Sequence, residues 1–306
     1  VLLPTDFERY RKYSRRFKAA VAEIAPLIED RGIDEIYIDI TDLAGAQEGS
    51  ADDPHAGVRA VGRRIKAAVR EATGLTCSLG ITPNKLLAKL CSDLEKPDGL
   101  TIITEADIPA RIWPLPVKRI NGIGPKADAR LEALGIRSIG QLAAAELPLL
   151  VEHFGAHTGA WLHEAALGRD DRPVVTHSEP KSMSRETTFE RDLHARRDRE
   201  ALGQIFTRLC QQVAADLQAK GYVGRTVGVK LRYDDFKIVT RDLSLPAPTA
   251  DAQDIRRAAG QCLKRVPLER KLRLLGVRVG SLSKPDAAVI ADEPPAAAED
   301  RNLALF

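Results

Sequence analysis

Between Asp107 and Gly168 the chain is interrupted by Pro114, Pro116, Gly122, Gly124, Gly135, Gly140 and Gly155. A proline inside a helix loses one hydrogen bond and clashes with the preceding turn, and a glycine there costs about 1 kcal/mol relative to alanine. No long helix and no sheet strand survives such spacing. The stretch reads as a small module of short helices, which divides the chain into an N-terminal part and a C-terminal part. A single continuous sheet or bundle is excluded.

The N-terminal part alternates in type. The spacing of Phe7, Tyr10, Phe17, Val21 and Ile24 predicts a helix over 5–29, capped by Thr5 or Asp6. Ile33–Leu43 alternates as a strand, with Ile36, Ile38 and Ile40 on one face and Glu35, Tyr37 and Asp39 on the other. A helix over 55–73, a strand over 76–81, a helix from Asn84 to Leu94 stopped by Lys96-Pro97, and a strand over 100–103 come next. This is an α+β layer with helices packed on a sheet. After an extended linker holding Arg172-Pro173 and Glu179-Pro180, the order is strand 182–190, helix 197–219, strand 224–234, strand 237–245, helix 251–265 and strand 271–280. Tyr233-Asp234-Asp235-Phe236 marks a hairpin turn. The order β-α-β-β-α-β predicts a four-stranded sheet backed by two helices.

Charge separates these parts. Residues 182–281 hold 20 Lys+Arg against 12 Asp+Glu, a net of +8, whereas 1–104 and 105–181 are each at −1 and 282–306 at −3. A basic module between near-neutral neighbours points to a polyanionic partner, and its richness in arginine favours phosphate. No stretch approaches the ~20 apolar residues of a membrane helix, and no signal peptide opens the chain. Cys77, Cys91, Cys210 and Cys262 form no C-x-x-C pair, which predicts reduced, mostly buried thiols in a cytoplasmic protein rather than a zinc site. The chain opens on Val1 rather than a methionine and reads as a fragment.

Two motifs carry chemistry. Ile120-Asn121-Gly122-Ile123-Gly124-Pro125-Lys126, with Ala129 and Leu131 after it, is a helix-hairpin-helix pattern. Gly122 and Gly124 would let backbone N–H groups approach a phosphate, and Lys126 adds charge at the next helix's start. Asp34-Glu35 stands at the head of the first clear strand, with Asp39 and Asp42 beyond. Adjacent carboxylates in a strand face opposite ways, so both reach one metal only at a strand end or bulge.

The segment Gly32-Ile33-Asp34-Glu35-Ile36-Tyr37-Ile38-Asp39-Ile40-Thr41-Asp42 resembles the (S/G)-I-D-E-x-Y-x-D-x-T strand of the Y-family translesion DNA polymerases of the bacterial polymerase IV type. Ser78–Lys89 through Ser92-Asp93 to Lys96-Pro97-Asp98-Gly99, the hairpin motif, Ser182–Asp192 and Arg273–Val277 agree with it, so the resemblance spans nearly the whole chain. It implies a partial palm over 1–104, an all-helical thumb over 105–170, a linker over 171–181, a DNA-gripping little finger over 182–281, and a flexible tail over 282–306.

The resemblance further implies two-metal phosphoryl transfer with two Mg²⁺ ions on primer-template DNA and deoxynucleoside triphosphates, by a monomer. Asp34 would bridge the metals, Glu35 would support the one near the primer terminus, and Lys96 would touch the incoming triphosphate. Lys89 is a further candidate for DNA or phosphate, beside its plainer reading as an exposed helix lysine. Ser184, Arg185, Lys230 and Arg232 would meet DNA, with Lys230 and Arg232 opposite Val227, Val229 and Leu231 on their strand. In the family, a strand with another metal-binding aspartate, an aromatic sugar gate and the fingers precede the region matching Val1. The chain as written would lack them and would not polymerise DNA alone. Asn302-Leu303-Ala304-Leu305-Phe306 is similar to the peptide that anchors such enzymes to the bacterial sliding clamp, usually Gln-Leu-x-Leu-Phe. The Asn302, Leu303, Leu305 and Phe306 side chains would make that contact. The competing readings are a catalytically silent DNA- and clamp-binding adaptor and a generic helix-hairpin-helix DNA-binding protein.

Overall fold

In a computed structural model that describes residues 3–285, the chain forms two units, 1–178 and 179–306. In the first unit, α1 (Phe7–Ala22) starts where the Asp6 carboxylate accepts the Arg9 N–H. The expected helix over 5–29 ends at Ala22 instead. Pro26 has no N–H to continue the ladder and biases Ala25 away from helical backbone. The residues beyond it pair as a strand, β1 (Ile28–Asp30), against β2 (Ile36–Ile38), with Glu29 opposite Tyr37. The predicted strand over 33–43 is therefore three residues long. It stops because the Asp39 carboxylate accepts both the N–H and the hydroxyl of Thr41, at 2.9 and 2.6 Å, and turns the backbone.

α2 (Ala56–Thr73) packs Val61, Ile65 and Val69 against Val21 of α1. β3 (Leu79–Ile81) runs parallel to β4 (Leu100–Ile102), joined by α3 (Lys85–Cys91), whose N-cap Asn84 accepts the Leu87 N–H at 3.0 Å. The expected single layer is two separate two-stranded ladders among the described residues, β1–β2 and β3–β4.

Short helices come next: α4 (Pro125–Ala133), α5 (Ile139–Ala143), α6 (Leu147–Phe154) and α7 (Ala156–Ala166). Their fully buried Leu131, Leu142, Leu150 and Leu162 share one core with Leu86, Leu87 and Leu90 of α3. Position 105 therefore lies inside a packed unit. The segment read as a linker is docked at its start: Lys85 Nζ donates to the Pro173 carbonyl at 2.8 Å, and the Val175 N–H to Glu29 at 2.9 Å.

The second unit has the predicted order. β5 (Ser182–Leu193), α8 (Arg199–Lys220), β6 (Val223–Tyr233), β7 (Ile238–Thr249), α9 (Ala252–Leu263) and β8 (Leu272–Ser283) build one antiparallel sheet in the order β5-β8-β6-β7. Val227, Val229, Leu231, Val277 and Val279 face the helices and pack on Leu209, Val213, Leu217 and Ile255. Tyr233–Phe236 closes the β6–β7 hairpin, with the Phe236 N–H donating to the Tyr233 carbonyl at 3.0 Å. Cys91, Cys210 and Cys262 are buried thiols and Cys77 a half-buried one. Burial pushes Cys91 and Cys210 up to about 11, so both stay protonated and unreactive.

Candidate active site and nucleic-acid interface

The hairpin between β1 and β2 presents the acidic pair. The Asp30 carboxylate accepts the Gly32 N–H at 2.9 Å and Lys18 Nζ at 2.8 Å. The Lys18 hydrogen bond, then the Gly32 N–H, holds the Asp30 carboxyl below the ordinary carboxylate range. This tightened turn delivers Asp34 into a bend and Glu35 to the residue before β2, both exposed. The strand-end placement is the one that lets neighbouring carboxylates converge. The Asp34 carboxylate has no hydrogen-bond or ion-pair partner among the described residues. Glu35 is ion-paired with Lys89 of α3. Burial alone would lower the Lys89 ammonium, but the Glu35 carboxylate outweighs it and holds it above its ordinary value.

Asp34 and Glu35 line a cleft of about 810 Å³ that also takes in Lys85, Lys89, Lys96 and Arg172. Lys96 is exposed and lies 2.6 Å from Asp93. The structure thus brings Asp34, Glu35, Lys89 and Lys96 to the lining of one cleft. Hard carboxylate oxygens suit Mg²⁺, and the adjacent pair fits as part of such a site. Among the described residues no three His, Cys, Asp or Glu side chains gather into a metal-holding group.

Lys85 of the cleft lining belongs to a buried ion pair that sequence reading missed. Lys85 Nζ contacts Glu29 at 2.6 Å, with both side chains about 10% exposed or less. Burial pushes the Glu29 carboxyl up, but the Lys85 and Val175 hydrogen bonds and the charges of Lys85 and Arg31 more than offset it. The group rests below its ordinary value.

In the hairpin motif, Gly122 has φ +110°, and a Cβ there would stand 2.7 Å from the Trp161 ring. Both backbone and space demand glycine. Gly124 caps α4 and faces open space, and Lys126 is exposed in the first turn of α4.

In the second unit, strand alternation separates the basic candidates. Ser184, Lys230 and Arg232 lie in register with Arg278, Gly276 and Leu274 of β8, on the sheet face away from the helices. Lys230 pairs with Glu186 at 2.9 Å, and Arg232 Nε is buried without a hydrogen-bond partner. Arg185 is in register with core-facing Val277 and makes two hydrogen bonds, at 2.6 and 2.7 Å, to Asp216 of α8. It is therefore held on the helix side of the sheet, not beside Ser184. Exposed Arg278 lies near the middle of the open face, flanked by Gly276 and Gly280. Its phase along β8 opposite Val277 and Val279 was the available signal.

Family models match three parts of the chain: the impB/mucB/samB family over 1–93, the HHH motif of the same family over 105–136, and its C-terminal domain over 180–292. The DNA polymerase IV of Moorella thermoacetica is 37% identical over 285 residues, covering 92% of this chain and 68% of that protein. The DNA polymerase IV of Halorhodospira halophila is 41% identical over 283 residues, covering 92% and 76%.

The chain belongs to the DNA polymerase IV family.

A solved Y-family DNA polymerase chimera, Dbh-Dpo4(243-245)-Dbh, shares the fold at TM-score 0.78 and 23% identity, covering 92% of this chain and 78% of that one. Polymerase IV relatives are DNA-directed DNA polymerases by name. Within this family member, Asp34, Glu35 and Lys89 fall in the first matched segment and Lys96 just beyond it. Gly122, Gly124 and Lys126 fall in the matched HHH motif, and Ser184, Arg185, Lys230, Arg232 and Arg278 in the C-terminal domain. No described helix is long and apolar enough to cross a membrane. Asn302, Leu303, Leu305 and Phe306 lie outside the described residues.

Proposed function

We propose that this polymerase IV family member takes part in template-directed addition of deoxynucleotides to a primer 3′ end, in the error-prone lesion-bypass class, by two-metal phosphoryl transfer. The observation that carries the reading is the unpartnered Asp34 carboxylate beside Glu35, in one cleft with Lys96. Asp34 and Glu35 would hold Mg²⁺, which when bound neutralises charge on the phosphates and on the attacking and leaving oxygens. Lys89 holds the Glu35 carboxylate in place. Lys96 offers a point charge to the triphosphate. Extension of a primed template, undamaged or carrying an abasic site, by a chain that also carries the family's preceding strand and fingers tests the reading. Divalent-dependent, template-matched incorporation is expected, and untemplated or metal-independent incorporation would contradict it.

The open sheet face of 182–281 is the surface proposed to lie along DNA. Exposed Arg278 and half-buried Lys230 and Arg232 share this face with Gly276, Gly280, Ser184 and Thr226, small residues that let phosphates approach closely. Affinity should fall steeply with salt as counterions are released. Arg278→Ala is expected to weaken duplex binding equally across sequences and to reduce the slope of log K against log salt by about one. The check is an anisotropy titration at several salt concentrations. An unchanged slope would remove Arg278 from the interface, and a flat salt dependence of the unaltered protein would remove the interface itself.

The terminal Asn302, Leu303, Leu305 and Phe306 are proposed to anchor the protein to the bacterial sliding clamp. Binding by such a short peptide rests on a few side chains filling pockets, with an aromatic dominating. Deleting 302–306 should abolish clamp binding and leave DNA binding unchanged, and Phe306→Ala alone should remove most of the affinity. Titration of a labelled tail peptide against purified clamp measures this. Equal affinities for wild-type and truncated tails would make the terminus an incidental apolar end.

A further inference from the structure

Lys66 of α2 is 18% exposed at its side chain and ion-paired with Asp98. Its Nζ also reaches the Cys77 carbonyl at 2.6 Å, the Asp98 carbonyl at 2.8 Å and the Gly99 carbonyl at 3.3 Å. One ammonium has three N–H donors, so these four acceptors use all of its capacity. The acceptors lie ahead of the two paired strands. Cys77 precedes β3, Asp98 and Gly99 precede β4, and the β3–β4 ladder runs only from Leu79–Leu100 to Ile81–Ile102. The ladder fixes the strands, while Lys66 ties down the turn that leads into them, together with the Ser78 hydroxyl, which accepts the Gly99 N–H at 3.1 Å, and the Leu79 N–H, which donates to the Gly99 carbonyl at 3.1 Å.

That turn is constrained in other ways. Asp98 has φ +56°, an unfavoured backbone for a residue with a side chain. A Cβ at Gly99 would stand 2.3 Å from the Glu95 carbonyl. Lys96 lies two residues upstream of Asp98, and its own side chain is exposed and paired with Asp93. The position from which its ammonium enters the cleft is therefore set by the backbone of this turn. We propose that Lys66 is a positioning residue that determines where Lys96 meets the triphosphate. The inference rests on the reading that Lys96 contacts that group.

The test is a double-mutant cycle on the full chain with primed template. Affinity is measured for the deoxynucleoside triphosphate complementary to the template base, in Ca²⁺ buffer to hold turnover back. Lys96→Ala and Lys66→Met are each expected to weaken binding by about tenfold. The double variant should be no weaker than the single ones, and Lys66→Arg should recover part of the loss. Losses that multiply, or no loss in Lys66→Met, would overturn the positioning role while leaving the Lys96 reading standing. An unchanged Lys96→Ala, or no triphosphate binding by the unaltered chain, would overturn the Lys96 reading and this inference with it. Should Lys66→Met fail to fold by circular dichroism, Asp98→Asn runs the same cycle. It removes the carboxylate and keeps all three carbonyl acceptors.

Discussion

In a chain that also carries the family's preceding strand and fingers, replacing Asp34 by alanine is expected to slow nucleotide incorporation on a primed template by about 10³-fold or more, since the loss of a metal-holding carboxylate forfeits several kcal/mol of transition-state stabilisation. DNA affinity and melting temperature should stay near those of the unaltered protein. Asp34 is exposed, lies in a bend and makes no internal hydrogen bond or ion pair among the described residues, so its removal breaks no contact of the fold. Single-turnover kinetics separate these effects. Near-normal incorporation by the alanine variant would show that Asp34 holds no catalytic cation. A lowered melting temperature alongside lost activity would show that it supports the fold instead.

The largest effect on stability is expected at Lys85. Lys85→Met leaves the Glu29 carboxylate buried with Arg31 only 3.5 Å away, on an exposed arm, as a compensating charge. Removing one partner of a buried pair costs about 3–5 kcal/mol, because the remaining charge loses its water without recompense. The sign of the pH dependence comes from the lowered folded-state pKa of Glu29. In the unaltered protein its contribution is present above the unfolded carboxyl value and is lost as pH falls through the folded value. In Lys85→Met the poorly compensated carboxylate can protonate, so the deficit should shrink as the solution is acidified. Urea unfolding at pH 7 and near pH 4 measures both. The same variant should loosen residues 173–175, which are tied to this pair through the Pro173 carbonyl and the Val175 N–H. A deficit that is small and constant with pH would mean the pair is not desolvated in solution.

The second unit was the more legible part of the sequence. Its four strands run 11–12 residues each. That is long enough for the alternation of Val227, Val229 and Leu231 with Lys230 and Arg232 to mark both faces. The first unit's strands are three residues each, too short for period-2 alternation to declare itself. There Ile28–Asp30 reads as the end of a helix because Val21 and Ile24 continue a helical spacing up to Pro26. Local order identified Asp34 and Glu35 as a pair. The contacts that hold them were not legible in it, because the Glu35–Lys89 contact joins residues 54 apart in sequence and the Lys66–Asp98 contact residues 32 apart. Arg185 shows the same limit in reverse. Its residue type suits phosphate, but it faces the helix side of the sheet and Asp216 takes its fork.

The most direct test of the account is Mn²⁺ binding, monitored by electron paramagnetic resonance in the ternary complex with primed template and a non-hydrolysable deoxynucleoside triphosphate. Bound Mn²⁺ should weaken by at least about tenfold in Asp34→Ala, and also in Glu35→Ala, while Arg278→Ala leaves it unchanged. Equal Mn²⁺ affinity across all four proteins would contradict the placement of the metal at Asp34 and Glu35.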